Sequence, residues 1–269
     1  MECCTIVNNP DNLKLCDGWK FPVLRNMERY TVVDPMKDEP RVIKAYDEIE
    51  KRFVIIKKCR QNELDNHIKM AEFKEFDFFP KLYDHWKRPG DKGVIVMEFI
   101  EGEEFADWRR RWLSEGSRPF MPAWKFLGSL LTNISKLHAA GFSFGDLNES
   151  NVIWTGETVK LVDLEGIRPV DLTDNELYVG ELGDLQEIGW KIGFMIDPSY
   201  SAENDSDDDN NYDSDDVRDH ESHPHESEAL IQMYNMLYPI LDPECRLRKI
   251  VGGKQIPTVH ELLKIYNSY

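Results

Sequence analysis

Three polar residues between positions 146 and 163 have the types and spacing needed for phosphate chemistry. Asp146 lies in a short polar segment, and Asn151 follows five residues later. Asp163 comes after two apolar runs that flank the turn residues 155–157, a pattern that predicts a β-hairpin. The hairpin would bring Asp163 back beside the first two residues. One carboxylate can then orient or deprotonate a hydroxyl, while an amide oxygen and a second carboxylate can hold Mg²⁺ on phosphate oxygens.

The segment before Asp146 must position this polar group, and its pattern is that of a buried helix. Large apolar residues recur every three or four positions, at Leu127, Leu130, Leu131, Ile134 and Leu137. The spacing predicts a helix over 121–139, which ends at Ala140-Gly141. A second helix is predicted just before it, over 103–114.

The first part of the chain reads as strands. A short β-branched run at 30–33 precedes two apolar runs within 41–58 that are separated by an acidic turn, which predicts a hairpin. Strand alternation places Ile55 and Lys57 on one face of this hairpin. A further apolar run, 93–100, predicts another strand.

Residues 144–151, FGDLNESN, resemble the His-Arg-Asp-Leu-x-x-x-x-Asn catalytic loop of protein kinases. Residues 163–165, DLE, stand where that family has Asp-Phe-Gly. The Phe-Gly-Asp triplet is closer to the His-Gly-Asp variant of atypical, minimal kinases. The resemblance implies that Asp146 is the catalytic residue that orients the acceptor, and that Asn151 and Asp163 bind Mg²⁺. The sequence departs from the family at Asn148, where many Ser/Thr kinases have Lys, and at Glu165, which replaces Gly.

A second part of the resemblance concerns phosphate binding. The residues VIIK, ending at Lys57, match the Val-Ala-x-Lys strand of kinases, which implies that Lys57 contacts the α- and β-phosphates of ATP and contributes to catalysis. The helix predicted over 59–76 would supply a Glu to pair with Lys57. Glu63, near the helix start, is the better candidate, and Glu72 is the alternative.

The strand at 93–100 resembles the kinase strand that leads into the hinge. The resemblance implies that Met97 lies at the back of the adenine pocket and that Glu98, Phe99 and Ile100 offer backbone groups to adenine.

The loop before the hairpin differs from the family's glycine-rich loop. Counting back from Lys57, the three loop glycines fall on Pro35, Lys37 and Pro40. Glycine lets backbone N–H groups approach phosphates, and proline has no N–H to offer. We therefore expect the usual phosphate cover to be missing. Two alternatives follow: nucleotide binds under a different cover that involves Lys37, or it binds weakly.

A helix that continues to Ile196 resembles the buried kinase helix whose Asp braces the catalytic loop, and Asp184 matches that Asp. Asp184 follows Gly166 closely, and the family's Ala-Pro-Glu sequence is absent from this stretch. The segment on which signalling kinases bind a peptide is therefore expected to be short.

The resemblance implies an α+β, bilobal protein-kinase-like fold with a small β-rich N-lobe and a mainly helical, reduced C-lobe. We expect an N-terminal extension at 1–28, the N-lobe at 29–99 and the C-lobe at 100–269. Eight of the fourteen residues from 203 to 216 are acidic, and such a segment buries too little apolar surface to fold, so we expect a disordered insert at 201–226.

Composition limits the partners. The net charge of −17 argues against nucleic acid and anionic membranes as general partners. Five cysteines without framework spacing fit a reducing compartment, and neither a signal peptide nor a membrane span is visible. We expect an intracellular protein, cytoplasmic or nuclear, and a monomer.

The sequence therefore predicts ATP- and Mg²⁺-dependent phosphoryl transfer to a hydroxyl, on Ser or Thr of a protein substrate. Two alternatives stay open. One is a catalytically impaired kinase-like binding or scaffold module, and the other is a small-molecule phosphotransferase.

Overall fold

The computed structural model describes residues 29–34, 40–88, 92–114, 120–170, 177–196, 224–241 and 257–269. These residues form a mixed α and β structure in two compact units. Unit 1 comprises the described residues up to Cys59 together with Tyr83–Phe99, and unit 2 comprises Arg60–Leu82 together with those from Ile100 onward. The predicted N-lobe, 29–99, includes residues 60–82, which here belong to unit 2. The division into lobes at 29–99 and 100–269 stays a prediction.

Unit 1 is built on a five-stranded sheet. Its strands are β1 (Tyr30–Asp34), β2 (Val42–Asp47), β3 (Arg52–Arg60), β4 (Leu82–Arg88) and β5 (Lys92–Glu98), in the order β1-β2-β3-β5-β4. Alternate residues of these strands face a small apolar core: Tyr30, Ile43, Ala45, Val54, Ile56, Val94 and Val96. This alternation is what the period of a strand produces when one face is buried.

The predicted hairpin is confirmed by β2 and β3, which pair antiparallel with Asp47 opposite Arg52. The Asp47 carboxylate organises the turn because it accepts hydrogen bonds from the N–H groups of Ile49 and Glu50, at 3.1 and 3.2 Å. It also accepts two hydrogen bonds from the Arg29 guanidinium, at 2.9 and 2.7 Å. The bonds from Arg29 are the main reason that the pKa of Asp47 lies below its usual range.

Unit 2 contains all six α-helices of the described residues. They are α1 (Gln61–Met70), α2 (Phe105–Ser114), α3 (Phe120–Ala139), α4 (Leu177–Ile196), α5 (Pro224–Leu241) and α6 (Val259–Tyr266). The helices predicted over 103–114 and 121–139 correspond to α2 and α3, and the five leucine and isoleucine residues that predicted α3 are fully buried. Among the described residues, no helix is long and apolar enough to cross a lipid bilayer.

The helix predicted over 59–76 is shorter than expected. Strand β3 runs on to Arg60, so α1 begins at Gln61, and it ends at Met70. The apolar residues after Met70 serve packing between irregular turns, where Phe73 stacks on Phe76 and the Phe78 and Phe79 rings tilt against each other. After Met70 the pattern therefore fails to predict helix, and it predicts burial only in part, since Ala71 is exposed and Phe73 is half-buried.

Short strands in unit 2 carry the segments around Asp146 and Asp163. They are β6 (Glu103–Glu104), β7 (Phe142–Ser143), β8 (Val152–Trp154), β9 (Val159–Leu161) and β10 (Arg168–Pro169). Strands β8 and β9 pair antiparallel, which confirms the second predicted hairpin. Strand β10 pairs with β7, so the chain on both sides of the predicted site is tied back to the body of unit 2.

Several predictions fall on residues that the structure does not describe. They are the extension 1–28, the loop positions Pro35 and Lys37, and the insert 201–226 up to residue 223. Helix α5 begins at Pro224, so the last three residues of the predicted insert are helical. Proline suits the first turn of a helix because the N–H that it lacks would have no partner within the helix.

Candidate functional site

The carboxylate of Asp146 is exposed and is held by two amide side chains. Its Oδ1 accepts a hydrogen bond of 2.8 Å from Asn148 Nδ2, and its Oδ2 accepts one of 2.9 Å from Asn151 Nδ2. Asn151 Nδ2 also donates to the Asp146 carbonyl at 3.1 Å. These bonds fix the carboxylate while leaving it open to solvent. Asn151, whose nitrogen is used here, keeps its amide oxygen for another partner.

Asn148 has a second role in the same loop. Its Oδ1 accepts hydrogen bonds from the N–H groups of Ser150 and Asn151, at 3.0 and 3.1 Å, and so caps the 3-10 helix at Glu149–Asn151. Sequence reasoning treated Asn148 only as a departure from the kinase pattern. The signal that could have revealed this role is the preference of Asn for positions where its side chain caps the backbone that follows.

Asp184 on α4 braces the loop from the other side, as predicted. Its two oxygens accept hydrogen bonds of 2.8 Å from the N–H groups of Phe144 and Gly145, just before Asp146. Oδ2 also lies 2.9 Å from His138 Nε2 at the end of α3. Asp184 is completely buried, so these polar groups provide the partners that water cannot.

The hairpin returns the chain beside Asn151, as the sequence predicts. The N–H of Val162 donates to the Asn151 carbonyl at 2.9 Å, and Asp163 is the next residue. Asp163 has φ 62° and ψ 79°, in the left-handed region. A non-glycine residue there costs on the order of 1–3 kcal/mol and is often found at functional sites.

Asp163 belongs to a group of three carboxylates. One carboxylate oxygen each from Glu63, Asp163 and Glu165 lie within 4.8 Å of one another. Glu63, in the first turn of α1, is fully buried, and Glu165 forms an ion pair with Arg60 at 2.7 Å. Three oxygen donors so close together suit a hard divalent cation such as Mg²⁺. Sequence reasoning paired Asp163 with Asn151 for metal binding and did not consider Glu165 for it.

Helix α1 also holds the backbone that follows Asp163. Asn66 Nδ2 donates to the carbonyl oxygens of Leu164 and Ile167, at 2.7 and 3.1 Å. Since Glu63 lies one turn earlier on the same helix, α1 fixes both the carboxylate group and the short 3-10 helix at Leu164–Gly166.

Two glycines allow the loops of Asp146 and Asp163 to approach closely. A Cβ atom on Gly166 would lie 2.8 Å from the Phe144 carbonyl oxygen and 2.9 Å from Asp146 Cβ. Gly145 has φ +76°, and a Cβ there would lie 2.6 Å from the Gly166 carbonyl oxygen. A larger residue at 145, such as the Arg of the kinase pattern, would displace one of these loops. Gly145, which stands where the kinase pattern has Arg, and Gly166 therefore together allow the close approach of the two loops.

Three of the predicted nucleotide-binding residues lie on the sheet of unit 1. Lys57 is buried on β3, and Met97 and Glu98 end β5, with Met97 buried. Phe99 follows, and its ring lies 3.6 Å from Lys44 Nζ. The role of these residues in binding ATP stays a prediction.

Ile100 is the first residue after Phe99 and belongs to unit 2.

Of the two glutamates considered as partners of Lys57, Glu63 is buried in α1, whereas Glu72 is exposed beyond the end of that helix. The burial of Glu63 fits a functional carboxylate better than the exposure of Glu72. The pairing itself stays a prediction.

Comparison with known proteins shows a partial similarity to a protein kinase. A stretch of 89 residues is 32% identical to the serine/threonine-protein kinase PknG of Mycobacterium leprae (strain TN). The stretch is 33% of this chain and 12% of that protein, so the chain matches only a small part of its relative. No family model matches the chain. The similarity is therefore a distant one between part of the chain and part of a serine/threonine-protein kinase.

Proposed function

We propose that this protein catalyses the ATP- and Mg²⁺-dependent transfer of a phosphoryl group to a hydroxyl, on Ser or Thr of an intracellular protein substrate. The observation that carries the proposal is the exposed Asp146 carboxylate, held by Asn148 and Asn151 in a loop that Asp184 braces. Phosphoryl transfer needs little covalent help from a protein, so catalysis depends mainly on positioning and charge.

In this proposal Asp146 orients the acceptor hydroxyl and accepts its proton. Each Asp146 oxygen already accepts one amide hydrogen bond, and a carboxylate oxygen has lone pairs enough for another. The amide bonds restrict rotation of the carboxylate, so its free lone pairs keep a constant direction toward the hydroxyl. Such positioning is the main contribution a general base can make in this chemistry.

Asp163 and the amide oxygen of Asn151 would hold Mg²⁺, and the carboxylates of Glu63 and Glu165 beside Asp163 add further oxygen donors. Bound Mg²⁺ would neutralise charge on the phosphate oxygens. For ATP itself, we propose that Lys57 contacts the phosphates, that Met97 lines the adenine pocket, and that the backbone of 98–100 contacts adenine.

Specific features favour two other functions. Pro40, exposed in the turn before β2, has no N–H to offer a phosphate, and Glu165 replaces the family's Gly beside Asp163. Both fit a kinase-like binding module that does not transfer phosphate. Asn148 holds Asp146 where many Ser/Thr kinases have Lys, which fits a phosphotransferase that acts on small molecules.

Two measurements on the purified protein separate these functions. Calorimetric titration with ATP, with and without Mg²⁺, tests nucleotide binding, and we expect binding that requires Mg²⁺. ATP labelled at the γ-phosphate, incubated with protein extracts and with metabolite pools, then shows which hydroxyl accepts the label. We expect labelled Ser or Thr on protein. Binding without transfer would favour the binding module, and label on metabolites alone would favour the small-molecule enzyme.

A further inference from the structure

Lys191 is a buried lysine of α4 that contacts the loop of Asp146. Its side chain is 3% exposed, and its Nζ donates a 2.7 Å hydrogen bond to the carbonyl oxygen of Leu147, the residue after Asp146. Nζ also lies 3.3 Å from Glu187, one turn earlier on α4.

The position of this ammonium group is costly for the protein. Burial disfavours the charged form and lowers the pKa of Lys191, although the nearby Glu187 carboxylate acts in the opposite direction. Nζ also lies 5.5 Å from the centre of the Phe105 ring, so its surroundings are partly apolar. A methionine could fill the same space without the cost of burying a charge, but it could not donate to the Leu147 carbonyl.

Helix α4 therefore holds the loop on both sides of Asp146. Asp184 accepts from the N–H groups of residues 144 and 145, and Lys191 donates to the carbonyl of residue 147. The two side chains are seven positions apart on α4, about two helical turns, so they lie on the same face of the helix. Between them the backbone of Asp146 has little freedom to shift along or away from the helix.

From this geometry we infer that Lys191 is a positioning residue for phosphoryl transfer, which fixes the backbone of Asp146 through the Leu147 carbonyl. The inference rests on the proposed function, because Lys191 would contribute to transfer only by positioning Asp146. A second contact supports the same loop, since Arg109 of α2 lies 3.4 Å from Glu149. The contact between Arg109 and Glu149 is partly exposed and holds only the Glu149 side chain. Lys191, in contrast, is buried and bonds to the backbone of the loop.

The test compares Lys191→Met with Lys191→Arg and Glu187→Gln in steady-state transfer assays. For Lys191→Met we expect kcat to fall by about 10- to 100-fold with little change in the KM for ATP. The reason is that losing the bond to Leu147 shifts Asp146 but leaves nucleotide binding intact. Lys191→Arg keeps a charged donor and should recover part of the lost kcat. Glu187→Gln keeps the bond to Leu147 and should change kcat by less than about fivefold. Lys136→Met, at an exposed lysine of α3, is the matched control and should behave as wild type.

Amide hydrogen exchange gives a readout that does not depend on activity. In Lys191→Met we expect faster exchange in a peptide covering 144–151 and unchanged exchange in the β2–β3 hairpin. If the wild type transfers no phosphate, the proposed function fails, and the exchange experiment still tests the contact. Wild-type kcat in a folded Lys191→Met, or unchanged exchange in 144–151, would overturn the inference. Should Lys191→Met not fold, Lys191→Gln applies the same test, since its shorter side chain also loses the bond.

Discussion

Replacing Asp184 by alanine should separate the loop of Asp146 from α4. The change removes the acceptor of two hydrogen bonds from backbone N–H groups and of one from His138. Phe144 is fully buried, so its N–H would lose its partner without gaining water, at a cost of about 1–3 kcal/mol. Gly145 is exposed and its N–H can be hydrated, so only the net value of its bond to a charged group is lost, about 1.5 kcal/mol. We expect a total loss of roughly 2.5–4.5 kcal/mol in the free energy of unfolding.

Asp184→Asn is a more selective test. The two backbone N–H groups bond to different carboxylate oxygens, so an amide can accept from one and must place its own NH₂ against the other. Asp184→Asn should therefore destabilise the protein by about half as much as Asp184→Ala. Both variants should also lose phosphoryl transfer, because the backbone on one side of Asp146 is released.

Urea unfolding followed by circular dichroism measures these values, provided that the m-value stays unchanged. Glu181→Ala, on the same helix, is the control. Glu181 is partly exposed and lies 4.0 Å from His138 Nδ1, so its loss should cost less than about 1 kcal/mol. A free energy of unfolding within about 0.5 kcal/mol of wild type for Asp184→Ala would refute the reasoning. Equal stability of Asp184→Asn and wild type would show that one oxygen acceptor at position 184 is enough.

Two further predictions concern other parts of the chain. Arg29 lowers the pKa of Asp47, so the stabilisation by this pair is present above the unfolded carboxyl pKa of about 3.9 and is lost as the pH falls through the lower folded value. When the pH is lowered from about 5 to about 2, the free energy of unfolding should therefore decrease less in Arg29→Ala than in wild type. Equal decreases, measured by urea unfolding at each pH, would contradict this. Gly166→Ala should lower kcat about 10- to 100-fold, since the added methyl group would lie 2.9 Å from Asp146 Cβ. Gly183→Ala, whose Cβ would meet no atom within 4 Å, is its control, and equal kinetics of the two variants would contradict the prediction.

The parts of the structure that follow from local patterns could be predicted from the sequence. Strand alternation around an acidic turn predicts the β2–β3 hairpin, and the leucine spacing of 127–137 predicts α3, because each pattern records which face of an element is buried. The resemblance of 144–151 to a kinase loop predicts the roles of Asp146 and Asn151, and the resemblance of the later helix predicts that Asp184 braces that loop. The hydrogen bonds between Asp184 and the loop then confirmed one of the predicted relations.

Other features depend on contacts between distant segments, which a local pattern does not contain. The sequence predicts helix for 71–76, yet these residues form turns, and Phe73 and Phe76 pack in or against the core of unit 2. The proximity of Glu165 to Glu63 depends on how α1 meets the segment after Asp163, about a hundred residues away in the chain. The burial of Lys191 also could not be predicted from a local pattern, since a lysine in a helix is usually exposed. Only the segments packed around it show that it is buried.

The most direct test of the central claim is phosphoryl transfer by Asp146→Asn. This variant keeps the size of the side chain and one oxygen acceptor for Asn148 or Asn151, but it cannot take a proton from a hydroxyl. Asp107→Asn, at an exposed aspartate of α2 that pairs with Arg110, is the matched control. The proposal predicts that Asp146→Asn loses about 10²- to 10⁴-fold in transfer from γ-labelled ATP while its affinity for Mg-ATP stays close to that of wild type and of the control. Transfer at the wild-type rate by a folded Asp146→Asn would contradict it.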